Sequence, residues 1–341
     1  MKQLLTVLKY ALLLGLSGAL MVYAVRGQDL SRIGHYIRTA NYFWLGATMM
    51  LSVLGYLSRA YRWQMQLTAS KHRVPFWAVY HAMMVGYLAN IVLPRMGEVI
   101  RCSVLRRTSG VPVDVSLGTV ITERVIDVLV LALLLGATLL LEFNKFWSFI
   151  QGLFADKYDS LAANRNVLLA VVGLAALLAL VFGYLLVRNL ERLRQNALFV
   201  KVVAFARGLL AGVFSVLRLE SKGLFLLHTG FTWLVYYLMD YLAFRCFPET
   251  YSLDMKAALA VLTFGAFGMA APVSGGIGVF HVLVQSTLLV YGISKEAGIA
   301  YALVVHGAQT LLVVLMGGIS FVVSALQSGK AVKNEQLTVN N

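Results

Sequence analysis

Residues 90–110 read NIVLPRMGEVIRCSVLRRTSG, and residues 111–128 continue VPVDVSLGTVITERVIDV. This stretch sets six ionisable residues, Arg95, Glu98, Arg101, Glu123, Arg124 and Asp127, among long apolar runs. The apolar run after it, from Leu129 to Leu141, is too short to cross a bilayer core at about 1.5 Å per residue. A span in this region must therefore begin before Glu123 and carry Glu123, Arg124 and Asp127 into the membrane. Ionisable groups at that depth are costly and mark functional sites by default.

The rest of the chain supports the membrane reading. Its 341 residues are 60% apolar and only 13% charged, with a mean hydropathy of +0.78. Soluble domains carry about twice that charge. A sizeable soluble domain has no room here. The net charge of +14 fits the excess of Lys and Arg on cytoplasmic loops, and it also suits attraction to anionic head groups. Two cysteines, Cys102 and Cys246, fall near opposite faces, so no disulfide is expected. No CxxC pair or His/Cys cluster points to a metal. No cofactor is expected.

Hydropathy divides the chain into spans at about Leu4–Val25, Tyr42–Met65, Val115–Leu141, Val167–Val187, Gly223–Phe247 and Ala297–Leu326. The first apolar run is longer than a signal-peptide core and reads as a retained span. Arg26 to Arg38 read as a polar connection, and Glu142 to Arg165 as a mixed-charge loop. The basic loop from Arg188 to Lys222 repeats apolar residues between Leu198 and Val213, as an amphipathic surface helix would. Two further segments, Phe76–Arg107 and Ala257–Tyr291, are each broken in the middle, by Pro94 and Gly97 in one and by PVSGG (Pro272–Gly276) in the other.

The expected fold is therefore an all-α polytopic membrane protein with about six full spans plus two re-entrant helical hairpins, or eight spans. The expected organisation is one domain over residues 1–330, with halves at 1–142 and 165–326, and a polar tail at 331–341. Each half runs span, span, hairpin, span, and the second half starts on the opposite face from the first. That is the layout of an inverted-topology repeat with a central site built from broken helices. Basic loops place both termini in the cytoplasm of a bacterial inner membrane.

On a helix, Glu123 and Asp127 share a face, Arg124 reaches Asp127, and Arg95, Glu98 and Arg101 make one polar stripe. The six charges cancel, which lowers the penalty of burying them together. Such a network reads in two ways. It can staple the first hairpin to the third span, or it can line a path for a phosphate-bearing head group, for which arginine is the best-suited side chain. Pro94 and Gly97 beside the charges favour a cavity-lining role, since broken backbone at membrane depth is tolerated there. Asn90 belongs to the same candidate site. From the second hairpin, Gly275, Gly276 and His281 join it, because the amides of a helix starting near Gly276 can receive an anion. His281 and His306 otherwise read as packing histidines on apolar faces. Asp240, among Tyr236, Tyr237 and Tyr241, is a weaker candidate for the same interior.

Asn90, Pro94, Arg95, Gly97-Glu98 and Arg101, followed by Glu123-Arg124 and Asp127, resemble the signature of the lysylphosphatidylglycerol synthase transmembrane region family. Pro272 to Gly278 (PxxGGxG) resembles its second motif, and Arg59–Trp63 a weaker one. The resemblance extends over nearly the whole chain and implies movement of a phospholipid, or another isoprenoid or polar lipid, between leaflets. Two positions depart from the pattern: His281 stands where the family's second motif usually continues with Glu, and His306 is the counterpart of an Arg often seen in the final span. A stand-alone member without the soluble aminoacyl-transfer domain is expected, so lysyl transfer is not implied.

The expected function is a lipid flippase or scramblase, not an enzyme. The alternatives are a membrane-embedded transferase acting on a lipid carrier and a structural partner in envelope lipid synthesis. There is no GxxxxGK[ST] loop for nucleotide. Expected partners are a phospholipid or isoprenoid lipid and the bilayer itself, with a homo-oligomer allowed and no nucleic acid.

Overall fold

The computed structural model describes residues 2–162, 219 and 221–339. The expected fourth span and the basic surface helix built on Leu198 to Val213 lie outside them. The described residues are helical throughout, with turns and short 3-10 segments between helices. In chain order they are α1 (Lys2–Val25), α2 (Leu30–Thr39), α3 (Tyr42–Ala69), α4 (Phe76–Val92), α5 (Gly97–Ser109), α6 (Val113–Ala162), α7 (Lys222–Ala243), α8 (Met255–Ala270), α9 (Val279–Val290) and α10 (Lys295–Val339).

Local chemistry sets most of these boundaries. Asp29, Asn41 and Asp254 cap α2, α3 and α8 by accepting first-turn backbone N–H groups, which otherwise lack partners. Gly110 ends α5 in the left-handed conformation at φ 70°. Three boundaries differ from the hydropathy reading. Arg26–Arg38 is largely the capped helix α2, not a bare connection. The 142–165 loop is helical to Ala162, because α6 only kinks at Glu142 (φ −119°, ψ 16°) and continues. The expected polar tail continues α10 as far as Val339. Charge ended these segments in a hydropathy reading, but helix formation tolerates charge wherever the side chains reach water or a partner.

Two described helices, Val113–Phe149 and Lys295–Gln327, are long and apolar enough to cross a membrane. At 28 residues, α3 is also long enough, but it carries Arg59 and Arg62 in its interior.

The two interrupted segments each fold back on themselves. In the first, α4 and α5 touch through backbone: a Cβ on Gly86 would lie 2.7 Å from the Gly97 carbonyl oxygen. In the second, a Cβ on Gly268 of α8 would lie 2.6 Å from the Phe280 Cα of α9. Small residues at such crossings are how membrane helices gain close packing.

Helix α10 serves as a ruler for both hairpins. Its start packs on α9, with Gly298 against Gln285 and the His306 ring 4.8 Å from that of Phe280. Its later turns pack on α4, with Gly317 against Leu88 and Ser320 Oγ 3.0 Å from His81 Nδ1. The bases of the hairpins therefore lie toward opposite ends of α10 and their tips lie between. The tips touch, with Arg95 Nη2 donating to the Ala270 carbonyl.

Candidate functional site

A cavity of about 650 Å³ lies where the tips meet. Its walls come from α3, α6, α7, α8, α10 and both tips. One part of the wall is polar, formed by Arg59, Arg95, Glu98, Arg124 and Asp127. Much of the rest is apolar, including Val128, Leu131, Val261, Leu262 and Met269.

Behind the polar wall is a buried ion-pair network. Glu123 is fully buried on α6 and draws three arginines together. Its Oε1 lies 2.6 Å from Arg59 Nη2 and 3.2 Å from Arg62 Nη2, and its Oε2 lies 3.3 Å from Arg101 Nη2. One turn along, Asp127 lies 2.8 Å from Arg62 Nη2 and 3.4 Å from Arg59 Nη2. Arg124 binds Glu98 at 3.0 Å. Around the charges, Trp63 donates to Thr119 Oγ1 at 2.9 Å, and the Arg101 guanidinium sits 4.5 Å from the centre of the Trp63 ring. The network thus joins α3, the first hairpin and α6.

Sequence reasoning missed Arg59 and Arg62 as members of this site. They fall near the expected end of the Tyr42–Met65 span, but α3 continues to Ala69, which leaves both arginines inside the fold. The available signal was spacing: Arg59, Arg62, Trp63 and Gln66 share one helical face. Their inclusion changes the charge count. The eight residues comprise five arginines and three carboxylates, so the cluster carries two excess positive charges where a balanced six was expected. Arg59 Nε and Arg124 Nε have no acceptor among the described residues, and both residues line the cavity.

The expected site residues divide into three groups. Arg95, Glu98, Arg124 and Asp127 line the cavity with Asn90, Gly275 and Gly276. Asn90 also pins the first tip, accepting the Gly97 N–H at 2.8 Å. Arg101 and Glu123 are brought to the cluster but stand behind the wall, almost fully buried. His281 does not line the cavity and takes the packing role that was the other reading of it. It is buried, and its Nδ1 accepts the Gly278 N–H at 3.3 Å at the start of α9. Gly278 itself packs on Ser17 and Leu20 of α1, so the start of α9 abuts another helix. His306 is the histidine that lines the cavity, 5.0 Å from the His281 ring.

Arg95 has φ 65°, a conformation that non-glycine residues seldom adopt. Strain of this kind persists only where surrounding structure holds it, and it collects at functional sites. Here the contact between tips holds it. Among the described residues no group of three or more His, Cys, Asp or Glu side chains is arranged to hold a metal ion.

Helices of membrane-crossing length, broken hairpins meeting at their tips and a cavity walled by ion pairs and apolar side chains define a helical membrane protein with an internal polar site. The family model described as "Lysylphosphatidylglycerol synthase TM region" matches residues 7–317. The chain belongs to that family, which places it in a membrane and in a lipid context. No curated protein and no solved structure matches it.

Proposed function

We propose that the chain is a flippase or scramblase that moves a phosphate-bearing polar lipid between leaflets without altering it chemically. The observation that carries this reading is the divided wall of the central cavity. Arg59, Arg95 and Arg124 present positive charge to it, while Val128, Leu131, Val261, Leu262 and Met269 supply apolar surface. A phosphate group suits the two excess positive charges and the exposed Arg95 side chain at the cavity, because arginine binds phosphate through paired, charge-assisted hydrogen bonds. The apolar wall keeps the acyl chains in contact with hydrocarbon while the head group passes the tips.

In this proposal the hairpins are re-entrant, enter from opposite faces, and belong to an inverted repeat in a bacterial inner membrane. With Arg59 and Arg62 withdrawn from the loops, the basic residues left at the base of the first hairpin are Lys71, Arg73, Arg106 and Arg107. They mark that base as cytoplasmic, and both termini follow. The second hairpin then opens to the outer face.

The test is reconstitution of the full chain in liposomes carrying leaflet-labelled phospholipids. Lipid exchange by wild type, reduced at least tenfold in folded R95A and E98Q proteins, supports the proposal. A chemically altered lipid product would replace it with the transferase reading. Exchange no faster than in empty liposomes for every phosphate-bearing lipid tried would leave a structural role in envelope lipid synthesis.

A further inference from the structure

We propose that Asp240 of α7 is a proton-binding site that couples lipid movement to a proton gradient, an inference that rests on the transport reading above. The carboxylates of the charged cluster are poorly placed for this task. Glu123 and Asp127 each hold at least two arginines, and Glu98 holds Arg124. Protonating any of them breaks at least one ion pair, and protonating Glu123 leaves Arg101 without a carboxylate partner among the described residues. Asp240 also lines the cavity, yet among the described residues its carboxylate makes no ion pair or side-chain hydrogen bond. A proton cancels its charge without breaking any pair, and an unpaired carboxylate in an apolar setting is otherwise costly to keep.

Among the described residues no cationic group pairs with the Asp240 carboxylate. On its own helix the neighbouring titratable groups are Tyr236, Tyr237 and Tyr241. The Tyr236 hydroxyl already accepts from Arg59 Nη1 at 3.3 Å, and Arg245 beyond the helix end lies against Tyr241. From α10 come Tyr301, whose hydroxyl donates to the Asp240 backbone carbonyl at 3.3 Å, and His306 on the cavity wall. From α8, the side chains that line the cavity are all non-titratable. Helix α3 offers Ser52 and Tyr56 at the cavity and, farther along, Arg59. Cys246 follows in the 3-10 turn.

Position along the helices adds a direction. Helices α3 and α7 run antiparallel, with Arg62 beside Thr229, Arg59 beside Tyr236 and Ser52 beside Met239. Asp240 is therefore roughly 6 Å along α7 from the Arg59–Tyr236 contact, at 1.5 Å per residue, toward the base of the second hairpin. The cationic wall belongs to the half of the cavity next to the first hairpin, and Asp240 to the half next to the second. A head group leaving the arginines for the other side passes a site whose charge depends on the pH of that side. Ionised, it repels phosphate; protonated, it lets phosphate pass, and the proton taken up from one side crosses with the lipid and is released to the other before the empty site resets.

Two measurements on the full chain in liposomes test this. The first is labelling with dicyclohexylcarbodiimide, which reacts with protonated carboxyl groups in apolar settings, read by peptide mass spectrometry. The expected result is modification at Asp240 that rises several-fold from pH 8 to pH 6. No label at Asp240, label independent of pH, or label at Glu98 or Asp127 instead overturns the assignment. The second is the leaflet distribution of a trace labelled phospholipid under a gradient of one pH unit, which at one proton per lipid biases the distribution by up to about tenfold. That bias should vanish in D240N whatever its absolute rate. Wild-type exchange that ignores the gradient overturns the coupling while leaving the flippase standing. No exchange in wild type removes the transport reading and the coupling with it. A bias retained in D240N overturns the proton assignment, and exchange lost in D240N for amine-bearing lipids alone would make Asp240 a head-group ligand instead.

Discussion

Replacing Glu123 by Gln removes the charge on which three arginines converge while leaving the side-chain volume almost unchanged. Oε1 and Oε2 meet Arg59, Arg62 and Arg101 at 2.6, 3.2 and 3.3 Å, and Glu123 is fully buried. The substitution raises the excess of the eight-residue cluster from two positive charges to three. Arg101 loses its one ion pair among the described residues and keeps only the face of Trp63. Removing one partner from a buried pair destabilises by about 3–5 kcal/mol. At ~2 °C per kcal/mol for a chain of this size, the melting temperature in detergent should fall by roughly 6–10 °C. D127N provides the comparison. Asp127 lines the cavity and is 17% exposed, so water can solvate part of what the substitution strands, and the loss should be nearer ~2 kcal/mol. The double variant R101M/E123Q removes both charges and should recover part of the loss, with a coupling of about 0.5–3 kcal/mol in a mutant cycle. The assay is thermal unfolding of purified protein, with each variant's helicity checked first. An E123Q protein that melts within a degree or two of wild type, or a double variant whose losses simply add, would refute the view that Glu123 anchors α3, the first hairpin and α6.

Four further outcomes follow from the same geometry. R95G should relieve the left-handed strain at φ 65°, worth about 1 kcal/mol, so thermal stability stays level or rises while lipid exchange in liposomes falls. G86A should lose about 1–3 kcal/mol of stability by unfolding assay, because its Cβ would lie 2.7 Å from the Gly97 carbonyl oxygen; G46A, with open space around it, should be neutral or slightly stabilising. W63F should lose about 1–2 kcal/mol, since it deletes the hydrogen bond to Thr119 and weakens the contact with Arg101. Single cysteines at Lys71 and Gly292, at the bases of the two hairpins, should react with a membrane-impermeant maleimide from opposite faces of oriented vesicles; reaction from one face would end the inverted arrangement.

Much of the site was legible in the sequence because charge inside an apolar run is conspicuous. The stretch from Asn90 to Asp127 gave up its helix break at Pro94 and the approach of Arg124 to Asp127, at 4.0 Å, through local pattern alone, but the expected stripe does not form: Arg95 sits exposed in the turn before α5 begins at Gly97, while Arg101 is buried. Arg59 and Arg62 escaped because two arginines near the expected end of a span look the same whether they meet water or a carboxylate. Only the length of α3 and the approach of α6 separate the two cases. The two histidines were not separable for a related reason: glycine and proline mark a helix break but do not say which side of the break faces the cavity, so nothing local tells that His281 packs while His306 lines it.

The amino-acid sequence by itself determined that this chain is helical and built for a membrane, where its two breaks fall and that the Glu123–Asp127 charges lie within a span. These follow from local chemistry: hydropathy, helical period, and the restrictions of proline and glycine. Tertiary structure alone decided that the hairpin tips meet, that Glu123 is the hub of the ion pairs, that the cluster carries excess positive charge, and that Asp240 faces the cavity unpaired. Those outcomes depend on which faces of α3, α6, α7 and α10 are brought together across long separations in the chain. No local pattern encodes such a choice, because a buried charge is settled by whichever partner packing brings within about 3 Å of it.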